Sequence, residues 1–185
     1  TAQQAVFEDG QLSLGDERIS FADLARASGD EAIEVQVDAE PDKKREAYAT
    51  ATHSAVFVEV LVDEALGTVK VSRVVSAIAA GRVVNPKMAR SQILGGVVWG
   101  IGMALHEETQ TDHALGRHMN HSLAEYHIPV NADIGDIEVL FVEEHDEIVN
   151  ALGSKGVGEI GIVGVAAAVA NAIYHATGKR VRDFP

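Results

Sequence analysis

The 185 residues, 46% of them hydrophobic, suffice for one sizeable domain or two small ones with a real core. A formal charge of −13, with no basic stripe, excludes a nucleic-acid surface because it repels a phosphate backbone beyond local screening. The absence of cysteine excludes disulfides, thiolate zinc sites, a cysteine nucleophile and an iron–sulfur cluster bound by this chain alone, and leaves both cytoplasmic and periplasmic locations open.

Residues 1–50 read as a peripheral region and 51–185 as the part that carries chemistry. Glu8-Asp9-Gly10 is a turn between short apolar pieces, and Ser20 caps a short helix with Phe21 and Leu24 facing inward. Ile33, Val35 and Val37 alternate with polar residues as a half-buried strand does, and residues 40–46 form a solvated connection. Next, Ala55-Val56-Phe57-Val58-Glu59-Val60-Leu61-Val62 is a strand, residues 63–67 a turn and 68–78 a second strand. No crossover helix fits in that gap, so the pair is an antiparallel hairpin.

Asn85-Pro86 starts a long helix, the first capping free amides and the second lacking only an N–H that would have no partner there. Leu94, Val97, Val98, Ile101 and Leu105 give it an apolar face. Gly95, Gly96, Gly100 and Gly102 lower its propensity, which points to close packing or to a bulky ligand alongside, the first being the simpler. Residues 93–105 form the longest uncharged apolar run by this reading, too short to span a bilayer, so no membrane is expected as a partner. A strand over 137–142 and a loop over 143–153 follow. A final helix begins near Gly161, presents Ala166, Val169, Ala170, Ile173 and Tyr174, and ends at Gly178 with Lys179 and Arg180 beside its negative pole. The fold class is α+β (mixed α/β): a β-hairpin and further strands packed with a glycine-rich and an alanine-rich helix.

The most informative segment is Gly153-Ser154-Lys155-Gly156-Val157-Gly158-Glu159. Such a loop before a helix can turn several N–H groups toward an anion, and Lys155 adds a point charge. It lacks the spacer and the Lys-Ser/Thr pair of a Walker A loop, and the third glycine of a dinucleotide fingerprint. Glu159 follows among Val157, Ile160, Ile162 and Val163. It is either an acid stabilising the positive end of the last helix or a general base in a poorly solvated pocket that favours proton uptake near neutral pH. The eight histidines, among them His106, His113, His118, His121 and His127, lack His-Glu-x-x-His spacing and read as surface residues, so no metal ligand is assigned. Trp99 reads as a core or interface residue near the side of the helix that carries Gln92. Asp133, Asp136, Glu143, Glu144, Asp146 and Glu147 read as a solvated acidic run without a calcium-loop pattern.

The loop resembles the active-site loop of the xanthine dehydrogenase and aldehyde oxidase family, and the likeness extends in family order over Gly81-Arg82-Val83-Val84-Asn85-Pro86, Ala89-Arg90-Ser91-Gln92 and Ala124-Glu125-Tyr126-His127-Ile128-Pro129. The resemblance implies the C-terminal part of the large molybdenum-binding subunit, most like bacterial aldehyde oxidoreductases of three separate subunits. It implies a molybdopterin cofactor, in its cytosine dinucleotide form, with [2Fe-2S] and FAD on partner subunits. Gln92 would bond the pterin, Gly153, Ser154, Lys155, Gly156, Val157 and Gly158 would line the cofactor, and Glu159 would be the base in oxidation of an aldehyde or N-heterocycle with oxygen from water. His53-Ser54 departs from an aromatic-glycine pair in relatives. The start at Thr1 without methionine implies a fragment of a longer subunit, inactive alone. The alternatives from other classes are a non-catalytic anion- or nucleotide-binding module built on residues 153–158, and an inert remnant serving assembly.

Overall fold

The computed structural model describes residues 4–29, 34–38 and 43–185. The chain divides into two units, residues 1–40 and 41–185, ahead of the boundary placed at residue 50 by the sequence pattern.

In the first unit β1 (Val6–Glu8), β2 (Gln11–Leu14) and β3 (Glu17–Ser20) form an antiparallel meander. Asp9 and Gly10 both hold positive φ, 50° and 73°, the backbone that matches a tight hairpin to strand twist. α1 (Phe21–Ser28) follows, and the Ser20 hydroxyl accepts the Asp23 amide at 3.0 Å as its cap. Phe21, expected to face inward, meets Phe7 edge to face at 5.6 Å but stays half-exposed, because no buried residue of α1 offers it a core. The strand expected around Val35 and Val37 is not formed. Residues 34–38 pair with no strand among the described residues, and the Val35 and Val37 side chains are 76% and 80% exposed; Ile33 lies outside the described residues.

In the second unit a short 3-10 helix, Lys43–Ala47, occupies part of the expected open connection, of which residues 40–42 lie outside the described residues. β4 (His53–Asp63) and β5 (Thr68–Ala79) form the expected antiparallel hairpin, with a bulge at Glu59/Val60 that leaves Ser72 as the extra residue. β8 (Asp136–Phe141) adds to the far side of β5 in parallel register, Val74 opposite Ile137 and Ile78 opposite Phe141. Between them a two-residue ribbon, β6 (Thr111–Asp112) with β7 (Arg117–His118), interrupts the polar stretch.

α2 (Pro86–Leu105) begins as expected, with Asn85 Oδ1 accepting the Met88 amide at 3.1 Å. Its buried line is Ala89, Ile93, Val97, Ile101 and Ala104, with Leu94, Val98 and Leu105 only half-buried, so the apolar face is rotated from the expected one. The glycines explain the rotation. A Cβ at Gly96 would lie 2.8 Å from the Gly161 carbonyl carbon, one at Gly100 would lie 2.4 Å from Val165 Cβ, and one at Gly102 would meet the Glu107 carboxylate at 2.0 Å. Three of the four therefore serve close packing, whereas Gly95 has nothing within 4 Å.

The expected last helix is two. α3 (Ile160–Val163) stops at Gly164 and α4 (Val165–Thr177) continues to Gly178, whose φ of 72° closes it. Gly164 lies against β4, where a Cβ would meet Val56 Cγ2 at 3.0 Å. Residues 160–177, with a mean hydropathy of 1.5, form a longer uncharged stretch than residues 93–105 and are apolar enough by length and composition to cross a membrane. Here their inner face enters the core, where Val165 and Val169 join Val71, Val74 and Ile78 of β5 and Ile93, Val97 and Ile101 of α2. Helices thus cover one face of the β4-β5-β8 sheet, and the loops beyond Ala79 and Phe141 meet the loop that precedes α3.

Candidate active-site loop

The turn after β5 and the loop before α3 are stitched together. Arg82 donates its amide to the Gly153 carbonyl at 2.8 Å, Lys155 donates its amide to Ala80 at 2.9 Å, and Ser154 Oγ donates to the Arg82 carbonyl at 2.8 Å. The approach demands glycine at 81. Its φ is 64°, and a Cβ there would sit 2.1 Å from the Gly153 oxygen. Asn150 closes the preceding turn, its amide group donating to the Ser154 carbonyl at 2.7 Å while its Oδ1 accepts from Leu152 and Ser154. Gly153 donates to the Asn150 carbonyl at 3.0 Å.

These bonds divide the proposed cofactor loop in two. The amides of Gly153, Ser154 and Lys155 are all engaged within the chain. Those of Gly156, Val157 and Gly158 make no hydrogen bond among the described residues, and a Cβ at Gly156 or Gly158 would meet nothing within 4 Å. Thr52 Oγ1 holds the Gly156 carbonyl at 2.8 Å, and Val157 packs against the core.

Lys155 does not offer its charge to a ligand, as its place in the loop implies. Its ammonium stands 2.6 Å from Glu144 Oε1 and 3.0 Å from Asp146 Oδ2, and its side chain is only 7% exposed. Glu144 and Asp146 are correspondingly not part of a solvated acidic run: their side chains are 30% and 18% exposed, while Glu143 and Glu147 remain in water. Glu144 Oε2 accepts the Gly81 amide at 2.9 Å, and Asp146 Oδ1 accepts those of Ile148 and Val149. Glu144 is held below the ordinary carboxylate range first by Lys155 and then by the Gly81 amide. Asp146 is lowered first by the Ile148 amide and then by Lys155, and Lys155 is raised, above all by Glu144. A cleft of about 740 Å³ borders this cluster, lined by residues 81–83, 141–147 and 150–153; Glu159 is not in it.

Glu159 itself is exposed. Among the described residues the poorly solvated pocket expected around it is not built, since Val163 points outward and Ile160 is half-buried in the core. Glu159 stands at the position before α3 and makes no side-chain hydrogen bond to it. Gln92 lies on α2, exposed and with no side-chain hydrogen bond among the described residues. Gly161 rests on Ile93 and Gly96, which brings the start of α3 against the turn of α2 that carries Gln92. Trp99 is exposed beside Val98, Met103, Ile128, Pro129 and Ile162, and belongs to no core. Among the described residues no group of three or more histidines or carboxylates is arranged to hold a metal ion.

Thr52, Asn150, Glu144 and Asp146 were not singled out from sequence as site residues, because their partners are backbone groups or a lysine brought in by the fold. The one available signal was alternation, Glu144 and Asp146 sharing a side and Glu143 and Glu147 the other.

Comparison with known proteins gives a consistent result. A family described as the molybdopterin cofactor-binding domain matches residues 1–135. The chain is 43% identical over 183 residues to the aldehyde oxidoreductase molybdenum-binding subunit PaoC of Escherichia coli K12, covering 99% of this chain and 25% of that protein. It is 39% identical over 129 residues to the xanthine dehydrogenase molybdenum-binding subunit of Escherichia coli O157:H7, covering 70% and 17%. The aldehyde oxidoreductase structure from Desulfovibrio desulfuricans superposes with a TM-score of 0.65 at 32% identity over 72% of this chain and 14% of that one. Quinoline 2-oxidoreductase from Pseudomonas putida 86 shares the fold, with a TM-score of 0.76 at 20% identity over 98% of this chain and 24% of that one. The chain thus spans about a quarter of the length of PaoC.

Proposed function

Since the chain belongs to the molybdenum-binding xanthine dehydrogenase and aldehyde oxidoreductase family, we propose that it is the C-terminal part of the large subunit of an aldehyde-oxidising hydroxylase, with Glu159 as general base. The observation that carries this reading is the exposed carboxylate, without a side-chain hydrogen bond to α3, placed directly after three amides that have no partner among the described residues. The open space beside Gly156 and Gly158 fits a group approaching the backbone there. The amides of Gly156, Val157 and Gly158, with the Gln92 side chain, would hold a molybdopterin cofactor, in the cytosine dinucleotide form by likeness to the bacterial aldehyde oxidoreductases. When bound, that group supplies the two-electron oxidation of an electron-poor carbon. The Glu159 carboxylate takes up the proton released as a water-derived oxygen adds to the aldehyde carbon. Its desolvation would come from the remainder of the subunit, because within this chain it faces water. By likeness to the molybdenum-binding subunits of bacterial aldehyde oxidoreductases, onward electron transfer is assigned to iron–sulfur and flavin partner subunits.

A self-contained anion- or nucleotide-binding module is less well supported, since the cation it needs, Lys155, is already held by Glu144 and Asp146. The test is the purified native enzyme: molybdenum and pterin content, and oxidation of an aromatic aldehyde. Stoichiometric molybdenum with aldehyde turnover is the expected result. An enzyme that is free of molybdenum yet active, or tight nucleotide binding by the 185 residues alone, contradicts the proposal.

A further inference from the structure

The ion cluster behind the loop takes no part in the chemistry just described, yet three segments of chain converge on it. Lys155 belongs to the loop before α3, Glu144 and Asp146 to the loop after β8, and Gly81, which donates to Glu144, to the turn after β5. We propose that Lys155 is a positioning residue: gripped by Glu144 and Asp146, it fixes the path of residues 156–159 relative to the sheet and so sets where Glu159 stands. The inference rests on the reading of Glu159 as base.

Between Lys155 and α3, Gly156 and Gly158 have no side chain to pack and their amides have no partner among the described residues, so local interactions leave this stretch unfixed. Its ties are the Thr52 bond to the Gly156 carbonyl, the packing of Val157, and its two ends. One end is the seat of Gly161 on α2. The other is Lys155, whose nearly buried ammonium must keep its carboxylate partners or lose their compensation for desolvation.

Each partner is itself anchored to backbone. Glu144 uses its second oxygen on Gly81, and Asp146 uses its second oxygen on Ile148 and Val149. β5 and β8 are hydrogen-bonded neighbours in the sheet, so the clamp ties the loop to the ends of two paired strands. The shifts of all three groups favour their charged forms, which keeps the clamp intact through neutral pH. Two carboxylates against one ammonium leave the cluster net negative, which disfavours an anionic ligand at Lys155.

The experiment uses the assembled holoenzyme with Lys155→Met, Glu144→Gln and the double variant, reading kcat, KM, molybdenum content and amide hydrogen exchange over residues 156–159. The expected result is a fall in kcat of roughly tenfold to 100-fold in each single variant, the scale of an ångström-sized misplacement of a catalytic group. KM and molybdenum content stay near the parent values, exchange over 156–159 quickens, and the double variant is no worse than the poorer single one. Loss of molybdenum on Lys155→Met with a normal Glu144→Gln enzyme overturns the proposal in favour of a cofactor ligand. Multiplicative losses, or unchanged kcat and exchange, overturn it too. If Lys155→Met fails to fold, Glu144→Gln and Asp146→Asn decide by the same readouts, slowed turnover with faster exchange upholding the clamp and parent values refuting it. Glu159→Gln is measured in parallel. Should that enzyme remain fully active, the reading of Glu159 as base fails, while exchange over 156–159 still decides the clamp.

Discussion

Gly96→Ala and Gly95→Ala form a matched pair that isolates the contact between α2 and α3. Both add one methyl group to the same helix, and each gains about 0.8–1 kcal/mol of helix propensity. At position 95 the new Cβ meets nothing within 4 Å; at 96 it lies 2.8 Å from the Gly161 carbonyl carbon and 2.9 Å from Gly161 Cα and the Ile162 nitrogen. Non-bonded carbons prefer about 3.5–4.0 Å, so α3 would have to retreat by roughly 1 Å. These neighbours are backbone and cannot rotate aside, which makes overpacking of about 1–3 kcal/mol the appropriate scale. Gly95→Ala should therefore stabilise the chain, and Gly96→Ala should be about 1–3 kcal/mol less stable than its neighbour variant. Urea titration of the 185-residue chain followed by helical circular dichroism gives the difference directly. Equal shifts of the same sign in the two variants would refute the account of why this helix is rich in glycine.

Two further outcomes follow from the loop. Asp146→Asn should lower the thermal midpoint by a constant amount above the ordinary aspartate pKa near 4. A carboxylate whose folded pKa is depressed contributes in full there and loses its contribution as pH falls through the lowered value, so the gap between variant and parent should close in acid. A gap that persists unchanged well below pH ~4 would mean that the charge of Asp146 is not what stabilises the fold. Gly81→Ala places a Cβ 2.1 Å from the Gly153 oxygen on a backbone with φ of 64°, and should cost at least about 1–3 kcal/mol in the same urea titration. An unaffected midpoint would show that the stitch between residues 81–82 and 153–155 contributes little.

Features written in neighbouring residues were legible in the sequence. The β4-β5 hairpin follows from the short gap at residues 63–67, the start of α2 from Asn85-Pro86, and the end of α4 from Gly178. Long-range pairings were not. β8 joins the free edge of β5 in parallel, a pairing between strands far apart in the chain that no local pattern encodes. Val35 and Val37 alternate as a strand would, but with no partner strand among the described residues the alternation buries neither side chain. The buried line of α2 runs through Ile93, Val97 and Ile101 because the glycine side, which composition marks as weak, is where α3 and α4 come closest. The site was half legible. The glycine-rich loop ending in Glu159 is visible in the motif, but the pairing of Lys155 depends on Glu144 and Asp146, which the fold rather than their spacing places around it.

The central claim is tested most directly by kcat on an aromatic aldehyde for Glu159→Gln in the assembled enzyme, compared with the parent at equal molybdenum content. The exchange keeps size and hydrogen-bonding shape while removing the ability to hold a proton. Loss of a general base predicts a fall of about 10²–10⁴-fold, and turnover equal to the parent would contradict the assignment.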